Sequence, residues 1–256
     1  MEAASQTDLR CEEGVCFRKG AVGMISRINL LKKKEGMSAE DFAAYLTQHH
    51  GNALAAMPSL KGCEANVVVD NEQRSPFDRG SIEIDGYTEM FFDSYGDMLR
   101  DVAAAQDALE VDYAQFAESA VPALIAVKKV DKPVPSFLSD VKLIKRMSFL
   151  GRKEGVSAAT WQREWWEMHS ALVKTMTGYA GYNQNLVIDR IVDGAPASFD
   201  QLPVEGIVEF WFENMNAFDE CYGTPAFKRT GAHGAEFIDN ITTYLVEATP
   251  IVAVRA

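Results

Sequence analysis

The sequence lacks long apolar runs, and none approaches the roughly 20 residues that a membrane-spanning helix needs. Its first ten residues, Met1 to Arg10, are polar and contain no apolar stretch of the kind found in a secretory signal peptide. Basic residues are also scarce, because 25 Lys and Arg stand against 37 Asp and Glu, giving a net charge of −12. Nucleic acids and anionic membranes attract basic surfaces, so we expect neither as a partner. We expect a cytoplasmic protein.

Cysteines and cofactor motifs are equally scarce. Four cysteines, at positions 11, 16, 63 and 221, are too few and too scattered for a disulfide framework. Cys11 and Cys16 lie in a polar leader, where a metal clip or redox pair is an alternative to two unpaired thiols. The chain has no P-loop, no glycine-rich dinucleotide fingerprint, no HExxH and no paired CxxC. The sequence therefore predicts no cofactor and no metal site.

An internal repeat organises the chain. With a shift of 119 residues, Lys34–Asp70 aligns with Lys153–Asp189 without a gap, and 11 of 37 aligned positions are identical. Unrelated sequences of average composition would share about two or three. A later segment, Gly86–Asp93, aligns with Gly206–Glu213 at a shift of 120. The sequence thus predicts two copies of one unit.

Both copies show the same order of elements. Ser38 and Ser157 stand where a helix should begin, and a serine hydroxyl there can accept a hydrogen bond from an unpaired backbone N–H. Alternating or continuous apolar segments before and after each helix predict strands. The order is β-α-β-β-α-β, so the predicted fold class is α+β, with two fused ferredoxin-like units. The predicted boundaries are a polar leader at 1–22, a first unit at 23–131, a linker at 132–139 and a second unit at 140–256.

The predicted elements follow from these patterns. Strands are expected at Met24–Leu31, Gly62–Val69, Tyr87–Phe92 and Ala123–Val130, and at Lys142–Leu150, Gly181–Ile188, Gly206–Phe212 and Thr243–Val254. Helices are expected from the two serines to about Met57 and Met176, and at Asp97–Leu109 and Ala217–Arg229. Loops 71–82 and 190–204 are expected at the mouth of any cavity.

Two segments of the second copy carry a family resemblance. Trp165-Trp166-Glu167-Met168-His169-Ser170 and Gly181-Tyr182-Asn183-Gln184-Asn185 resemble the EthD family of the dimeric α+β barrel superfamily. The first copy shows the same plan in Gln48-His49-His50-Gly51 and Gly62-Cys63-Glu64-Ala65-Asn66. The resemblance covers most of residues 24–130 and 141–254. It implies that the sheets of two units form a barrel, here within one chain. Whether two such chains form a homodimer is left open by the sequence.

The resemblance is less informative about the reaction. Superfamily relatives include muconolactone-type isomerases, polyketide cyclases, decarboxylases, dehydratases and cofactor-free monooxygenases. The eponymous members accompany an ether-degrading oxidation system without an assigned reaction. A fold of this kind does not settle a function, so the candidate residues have to be weighed one by one.

Two histidines at matching positions are the candidate catalytic residues. His169 follows Trp165 by four residues and Trp161 by eight, which places the three on one side of a helix. His50 stands in the same relation to two apolar residues of the first copy. Burial lowers the pKa of a histidine, and a neutral ring can take a proton from a phenol, an enol or a carbon acid. The alternative is that each ring is a satisfied core residue.

The pockets expected beside these histidines differ. The second has aromatic walls, which suit a flat apolar or aromatic ligand. The first allows a Cys63–His50 nucleophilic pair, with a buried inert thiol as the alternative. The candidate binding residues are Tyr45, His49, Cys63, Asn66 and Phe91 in the first copy, and Trp165, Trp166, Tyr179, Tyr182, Asn185 and Trp211 in the second, with His233 at the rim on an exposed loop. Glu89 and Glu209, at matching strand positions, either orient an imidazole or face solvent.

These features predict a cofactor-independent lyase that acts on a small hydrophobic aromatic or lactone-like metabolite. His50 or His169 would move a proton while the aromatic wall holds the small-molecule substrate. Three alternatives stay open: an isomerase of the muconolactone type, a cofactor-free monooxygenase, and a non-catalytic ligand-binding or accessory protein of an oxidative pathway.

Overall fold

The computed structural model describes residues 9–12, 15–18, 24–118, 121–138 and 140–253. Two short strands, β1 (Leu9–Glu12) and β2 (Val15–Arg18), form an antiparallel pair separate from the main sheet. Cys11 and Cys16 stand opposite each other in the register of that pair, and both interpretations of them stay predictions. The rest of the predicted leader, residue 139 of the predicted linker and the end of the last predicted strand lie outside the described residues.

Among the described residues, the first half of the main fold contains four strands and four helices. Its strands are β3 (Met24–Leu31), β4 (Gly62–Asp70), β5 (Gly86–Phe92) and β6 (Ala123–Lys132). Its helices are α1 (Ala39–Gln48), α2 (Gly51–Leu54), α3 (Tyr95–Ala104) and α4 (Gln106–Phe116). Ser38 accepts a hydrogen bond from the backbone N–H of Asp41, which confirms the predicted start of α1.

The second half repeats this plan, with one irregular helix. Its strands are β7 (Ile144–Arg152), β8 (Gly181–Val192), β9 (Ala195–Pro196), β10 (Gly206–Phe212) and β11 (Ile238–Val252). Its helices are α5 (Ala158–Trp161), α6 (Ser170–Val173), α7 (Met215–Gly223) and α8 (Pro225–Gly234). Residues Gln162–His169 form a π-helix between α5 and α6. Ser157 accepts a hydrogen bond from Thr160 N–H, which again confirms the predicted cap.

The two halves close one barrel. Each half orders its strands fourth, first, third, second, as β6-β3-β5-β4 and β11-β7-β10-β8. Strand β4 pairs with β11, and β6 pairs with β8, so eight antiparallel strands form a closed ring. This confirms the predicted fold class, in which two fused ferredoxin-like units form a barrel of the dimeric α+β type. In the described part of the chain, no helix is long and apolar enough to cross a membrane.

Strand alternation gives each strand an inner and an outer face. The inner faces of both halves meet in one apolar cluster that includes Tyr87, Leu124, Phe149 and Tyr244. The outer faces pack against the helices in separate clusters, such as Leu54 and Met98 in the first half. A side chain can therefore lie inside the barrel or under the helices, and its position in the strand decides which.

Candidate functional site

The π-helix of the second half positions a group of three polar side chains. In a π-helix the hydrogen bonds join residues five apart, so Glu164 and His169 come to the same side. His233, on α8, contacts both of them. Its Nδ1 lies 3.3 Å from His169 Nδ1, and its Nε2 lies 3.3 Å from Glu164 Oε2. The result is a connected row, Glu164–His233–His169.

The hydrogen bonds in this row determine where the protons sit. An ionised Glu164 can only accept, so His233 donates from Nε2, and in the tautomer with its proton on Nε2 the ring accepts at Nδ1. His169 must then donate from its own Nδ1. This leaves Nε2 of His169 with a free lone pair, the atom that a general base needs. The hydrogen bond from Arg163 lowers the pKa of Glu164, which supports the ionised carboxylate.

His169 is neutral over the physiological pH range. Burial, and after it the neighbouring His233, lower the pKa of the His169 ring to about 3. The rings of His169 and Phe237 also pack nearly perpendicular to each other, with their centroids 5.7 Å apart. The sequence-based expectation of a neutral imidazole on an apolar face therefore describes this ring.

A cavity of about 80 Å³ lies beside His169, between the outer face of the second half's sheet and its helices. Its apolar walls include Trp165, Phe210, Tyr222, Phe227 and Ile238. Phe77 covers part of it from loop 71–82 of the first half, so the cavity is built by both copies. The volume is roughly half that of an engineered apolar cavity of ~150 Å³ that takes up benzene, so even a one-ring ligand requires the walls to move apart slightly.

Three polar side chains line the same cavity from the sheet. Arg146, Ser148 and Tyr182 are buried, and Arg146 Nε, Ser148 Oγ and Tyr182 OH have no hydrogen-bond partner among the described residues. Arg146 donates one hydrogen bond to the backbone oxygen of Arg74 and lies over the ring of Tyr222. Burial lowers the pKa of Arg146, but an arginine remains protonated.

The histidine of the first half has different surroundings. His50 is fully buried, and its Nδ1 lies 2.5 Å from Asp112 Oδ2. Tyr45 donates from its hydroxyl to the other carboxylate oxygen of Asp112 at 3.0 Å. The imidazole packs against the rings of Tyr113 and Phe116, with centroids 5.3 and 5.4 Å away. His50 therefore has the contacts of a core histidine held by a carboxylate.

Several residues predicted for the first pocket lie elsewhere. His49 is exposed, because adjacent helical residues point about 100° apart and His50 takes the inward direction. Cys63 is buried among apolar side chains, and burial raises the pKa of its thiol well above the ordinary value, which favours an inert thiol over a reactive thiolate. Asn66 and Phe91 point into the barrel, on the face of the sheet opposite His50. Asn66 there accepts a hydrogen bond from Lys145, and the Lys128 ammonium lies over the Phe91 ring.

The second pocket is also partly corrected. Trp165 and Tyr182 do line the cavity. Trp166 and Tyr179 lie outside it, where their rings contact the ammonium groups of Lys129 and Lys132. Asn185 and Trp211 face the barrel interior, because they stand on the inner-face positions of their strands. His233 is part of α8 and not of an exposed loop, since the helix continues through its glycines to Gly234.

Three residues of these surroundings, Glu164, Arg146 and Asp112, are not among the predicted site residues. The spacing of an α-helix separates Glu164 from His169, and only the π-helix brings them together. Arg146 follows Lys145 in β7, and strand alternation sends the two basic side chains to opposite faces of the sheet, so one of them lies under the helices. Glu89 and Glu209 orient neither imidazole, because both point into the barrel and bind Lys128. No group of three or more His, Cys, Asp or Glu side chains within the described ranges could hold a metal ion.

A larger opening of about 700 Å³ is lined mainly by charged side chains of both signs. It includes Lys33, Lys34, Arg79, Glu83 and Asp85. It contains none of the predicted site residues, and Tyr244 is the one aromatic residue in its lining, so the smaller cavity beside His169 is the candidate site.

Comparison with known proteins identifies the fold and the family. An anthrone oxidase-like protein superposes with a TM-score of 0.58 at 8% identity, covering 90% of this chain and 94% of its own. A protein of Fusobacterium nucleatum named as a monooxygenase gives 0.53 at 11% identity, covering 92% and 94%. One of Lactobacillus acidophilus, named likewise, gives 0.51 at 13% identity, covering 91% and 99%. At these identities the likeness shows the fold alone.

None of the curated proteins compared with the chain matches it. The profile of the EthD domain, in contrast, matches two separate segments, residues 34–120 and 153–241. These segments coincide with the two repeats and together make up most of the chain. The chain therefore belongs to the EthD domain family, of which it contains two tandem copies.

Proposed function

We propose that the chain is a cofactor-independent lyase that acts on a small hydrophobic aromatic or lactone-like metabolite, with His169 as the proton acceptor. The observation that supports this is the row Glu164–His233–His169, which ends at an apolar cavity. A base whose orientation is held by a second hydrogen-bonded group is a recurring arrangement in proton-transfer enzymes. The other histidine, His50, is fully buried and lines neither of the two cavities described above.

The step can be written for a carbon acid. His169 Nε2 takes a proton from the carbon next to a carbonyl group, and the electron pair of that C–H bond forms a carbon–carbon double bond. A leaving group on the neighbouring carbon then departs with its bonding pair. In a decarboxylation, His169 first takes the proton of the carboxylic acid group. The pair of the broken C–C bond then stays on carbon as CO₂ leaves, and the protonated ring returns that proton to the carbon.

The low pKa of His169 is compatible with this role. In the empty site the ring is a weak base, which keeps it neutral and ready to accept. When negative charge develops on a substrate nearby, the charge stabilises the protonated ring and raises its basicity. The Arg146 guanidinium, at the same cavity, would stabilise the anionic intermediate. The proton could leave through His233 to Glu164, whose side chain is 24% exposed.

Isomerisation is the second candidate, and the same residues favour it. A single base that returns the proton to a different carbon moves a double bond without releasing a group. A cofactor-free monooxygenase is the third candidate, since proteins of similar fold are named as monooxygenases and as an anthrone oxidase-like protein. Oxygen consumption tests it. A ligand-binding role without chemistry is the fourth outcome.

Proton exchange in D₂O tests the proposal before the substrate is known. Aryl ketones, aryl acids and unsaturated lactones would be incubated with the protein, and loss of C–H signals followed by NMR. We expect exchange by the wild type, and a loss of about 10²–10⁴-fold in His169→Gln, the usual contribution of a general base. His50→Asn is the matched control and should retain the exchange rate.

The outcomes separate the candidates. Exchange that persists in His169→Gln would refute the assignment of the base. Exchange accompanied by a released product supports a lyase, and exchange with a rearranged product supports an isomerase. Binding without exchange across the panel would favour the accessory role, and oxygen uptake with substrate would favour a monooxygenase.

A further inference from the structure

We propose that the cavity beside His169 selects ligands that carry a carboxylate group, which Arg146 binds at the sheet. The ligand class is therefore a monocarboxylic acid with one aromatic ring. This inference rests on the proposed function only in placing the ligand in the same cavity, and it requires no catalysis.

The strongest support is the unpaired charge of Arg146. Arg146 is 5% exposed, and no carboxylate in the described part of the chain forms an ion pair with its guanidinium. A partly buried arginine of the same half, Arg190, pairs with Glu205 at 2.7 Å. Burying a charge without a counterion is costly, so an unpaired guanidinium at a cavity wall is a site for an anion.

The neighbouring hydroxyl groups complete the anion site. Ser148 lies two residues after Arg146 on β7, so both side chains point to the same face. The Ser148 and Tyr182 hydroxyls are buried without a partner and line the cavity. Burial raises the pKa of Tyr182 well above its ordinary value, so its hydroxyl keeps its proton and can donate. A carboxylate accepts up to four hydrogen bonds, and three unused donor groups are present here.

The aromatic walls of the cavity favour an aromatic ring as the remaining part of the ligand. The rings of Tyr222 and Phe227 lie 4.1 Å apart, and those of Tyr182 and Phe210 lie 4.8 Å apart. Such walls suit a flat ring and disfavour a strongly hydrated anion such as phosphate. The cavity volume of about 80 Å³ excludes a multi-ring ligand unless loop 71–82 moves.

Calorimetric titration with benzoate, benzamide and inorganic phosphate tests this inference. Benzamide has nearly the shape of benzoate without the charge. We expect benzoate to bind at least roughly 10-fold more tightly than benzamide, the range for a hydrogen bond to a charged group. Arg146→Met should reduce benzoate affinity to that of benzamide, and Arg146→Lys should lie between them because it keeps the charge but loses the fork of donors.

Two controls keep the result interpretable. Arg146→Met removes an unpaired buried charge, so we expect its melting temperature to be retained or raised, which shows that the fold is intact. Arg100→Gln changes the net charge equally at an exposed position of the first half, and should bind benzoate like the wild type.

The inference would be overturned by equal binding of benzoate and benzamide, by no benzoate binding at millimolar concentration, or by phosphate binding as tightly as benzoate. Arg146-dependent benzoate binding without proton exchange on any candidate would refute the proposed lyase and leave this inference intact. Proton exchange on neutral substrates, without tighter binding of benzoate than of benzamide, would support the proposed lyase and refute this inference.

Discussion

Glu89 and Glu209, which occupy matching positions in the two repeats, bind the same ammonium group inside the barrel. Lys128 Nζ lies 2.7 Å from Glu89 Oε1 and 2.6 Å from Glu209 Oε2. Lys145 adds a contact of 2.7 Å to Glu209. The two carboxylates are related by the duplication, but the lysines come from the last strand of the first half and the first strand of the second. One cation thus joins equivalent carboxylates of both copies.

Removing that cation should destabilise the barrel strongly. In Lys128→Met, two buried carboxylates lose their shared partner, and we expect the free energy of unfolding to fall by about 3–5 kcal/mol. The exposed ion pair of Lys142 with Glu247 provides a matched control, since the same Lys142→Met change should cost less than about 1 kcal/mol. Urea unfolding of both variants measures the difference. Equal losses would show that the buried lysine does not hold the two halves together.

Much of the fold follows from local sequence patterns. The serine caps and the apolar strands are short-range features, and each appears in both copies, so the duplication tests every assignment twice. Ser38 and Ser157 begin their helices as predicted. The strand pairing between halves also follows, because two ferredoxin-like units leave open edges that only a closed barrel satisfies.

The candidate site was less predictable, because its partners are distant in sequence. His50 is held by Asp112, 62 residues away, and His169 by His233, 64 residues away. Cys63 and Asn66 are both predicted for the first pocket, but strand alternation sends side chains three residues apart to opposite faces of the sheet. The π-helix also differs from the α-helix that was expected. A period of 3.6 residues places His169 beside Trp165 and places Glu164 on another side of the helix.

The aromatic wall of the cavity should depend on a glycine of β10. A Cβ atom added at Gly206 would lie 2.7 Å from the Trp165 indole. Gly206→Ala should therefore displace Trp165 and lower the free energy of unfolding by about 1–3 kcal/mol, as overpacking does. At Gly231, in α8, an added Cβ meets nothing within 4 Å, so Gly231→Ala should stabilise the protein by about 0.4–1 kcal/mol. Thermal unfolding compares the two, and stabilisation by both would contradict the close packing of Trp165.

The carboxylate beside His50 should matter for stability and not for chemistry. Asp112→Ala leaves the buried His50 Nδ1 without its partner, and we expect a loss of about 1–3 kcal/mol. Tyr45→Phe removes a single hydrogen bond to the same carboxylate and should cost about 0.5–1.5 kcal/mol. Chemical denaturation measures both, and proton exchange should stay at the wild-type rate. A large loss of exchange in Asp112→Ala would move the working site to the first half.

The depressed pKa of His169 should make stability depend on pH in a defined window. The pKa of the ring falls from about 6.5 in the unfolded chain to about 3 in the folded one. Between these values the unfolded chain binds a proton that the folded protein does not, so acidification favours unfolding, by up to about 1.4 kcal/mol per pH unit. His169→Gln removes the contribution of this ring to the pH dependence of stability, while the other groups titrate as before. We expect the unfolding free energies of wild type and variant to run parallel above pH 7 and to separate below it, with the wild type losing more. Parallel curves down to pH 4 would mean that the folded ring accepts a proton as readily as the unfolded one, and the neutral base assigned to the cavity would be lost.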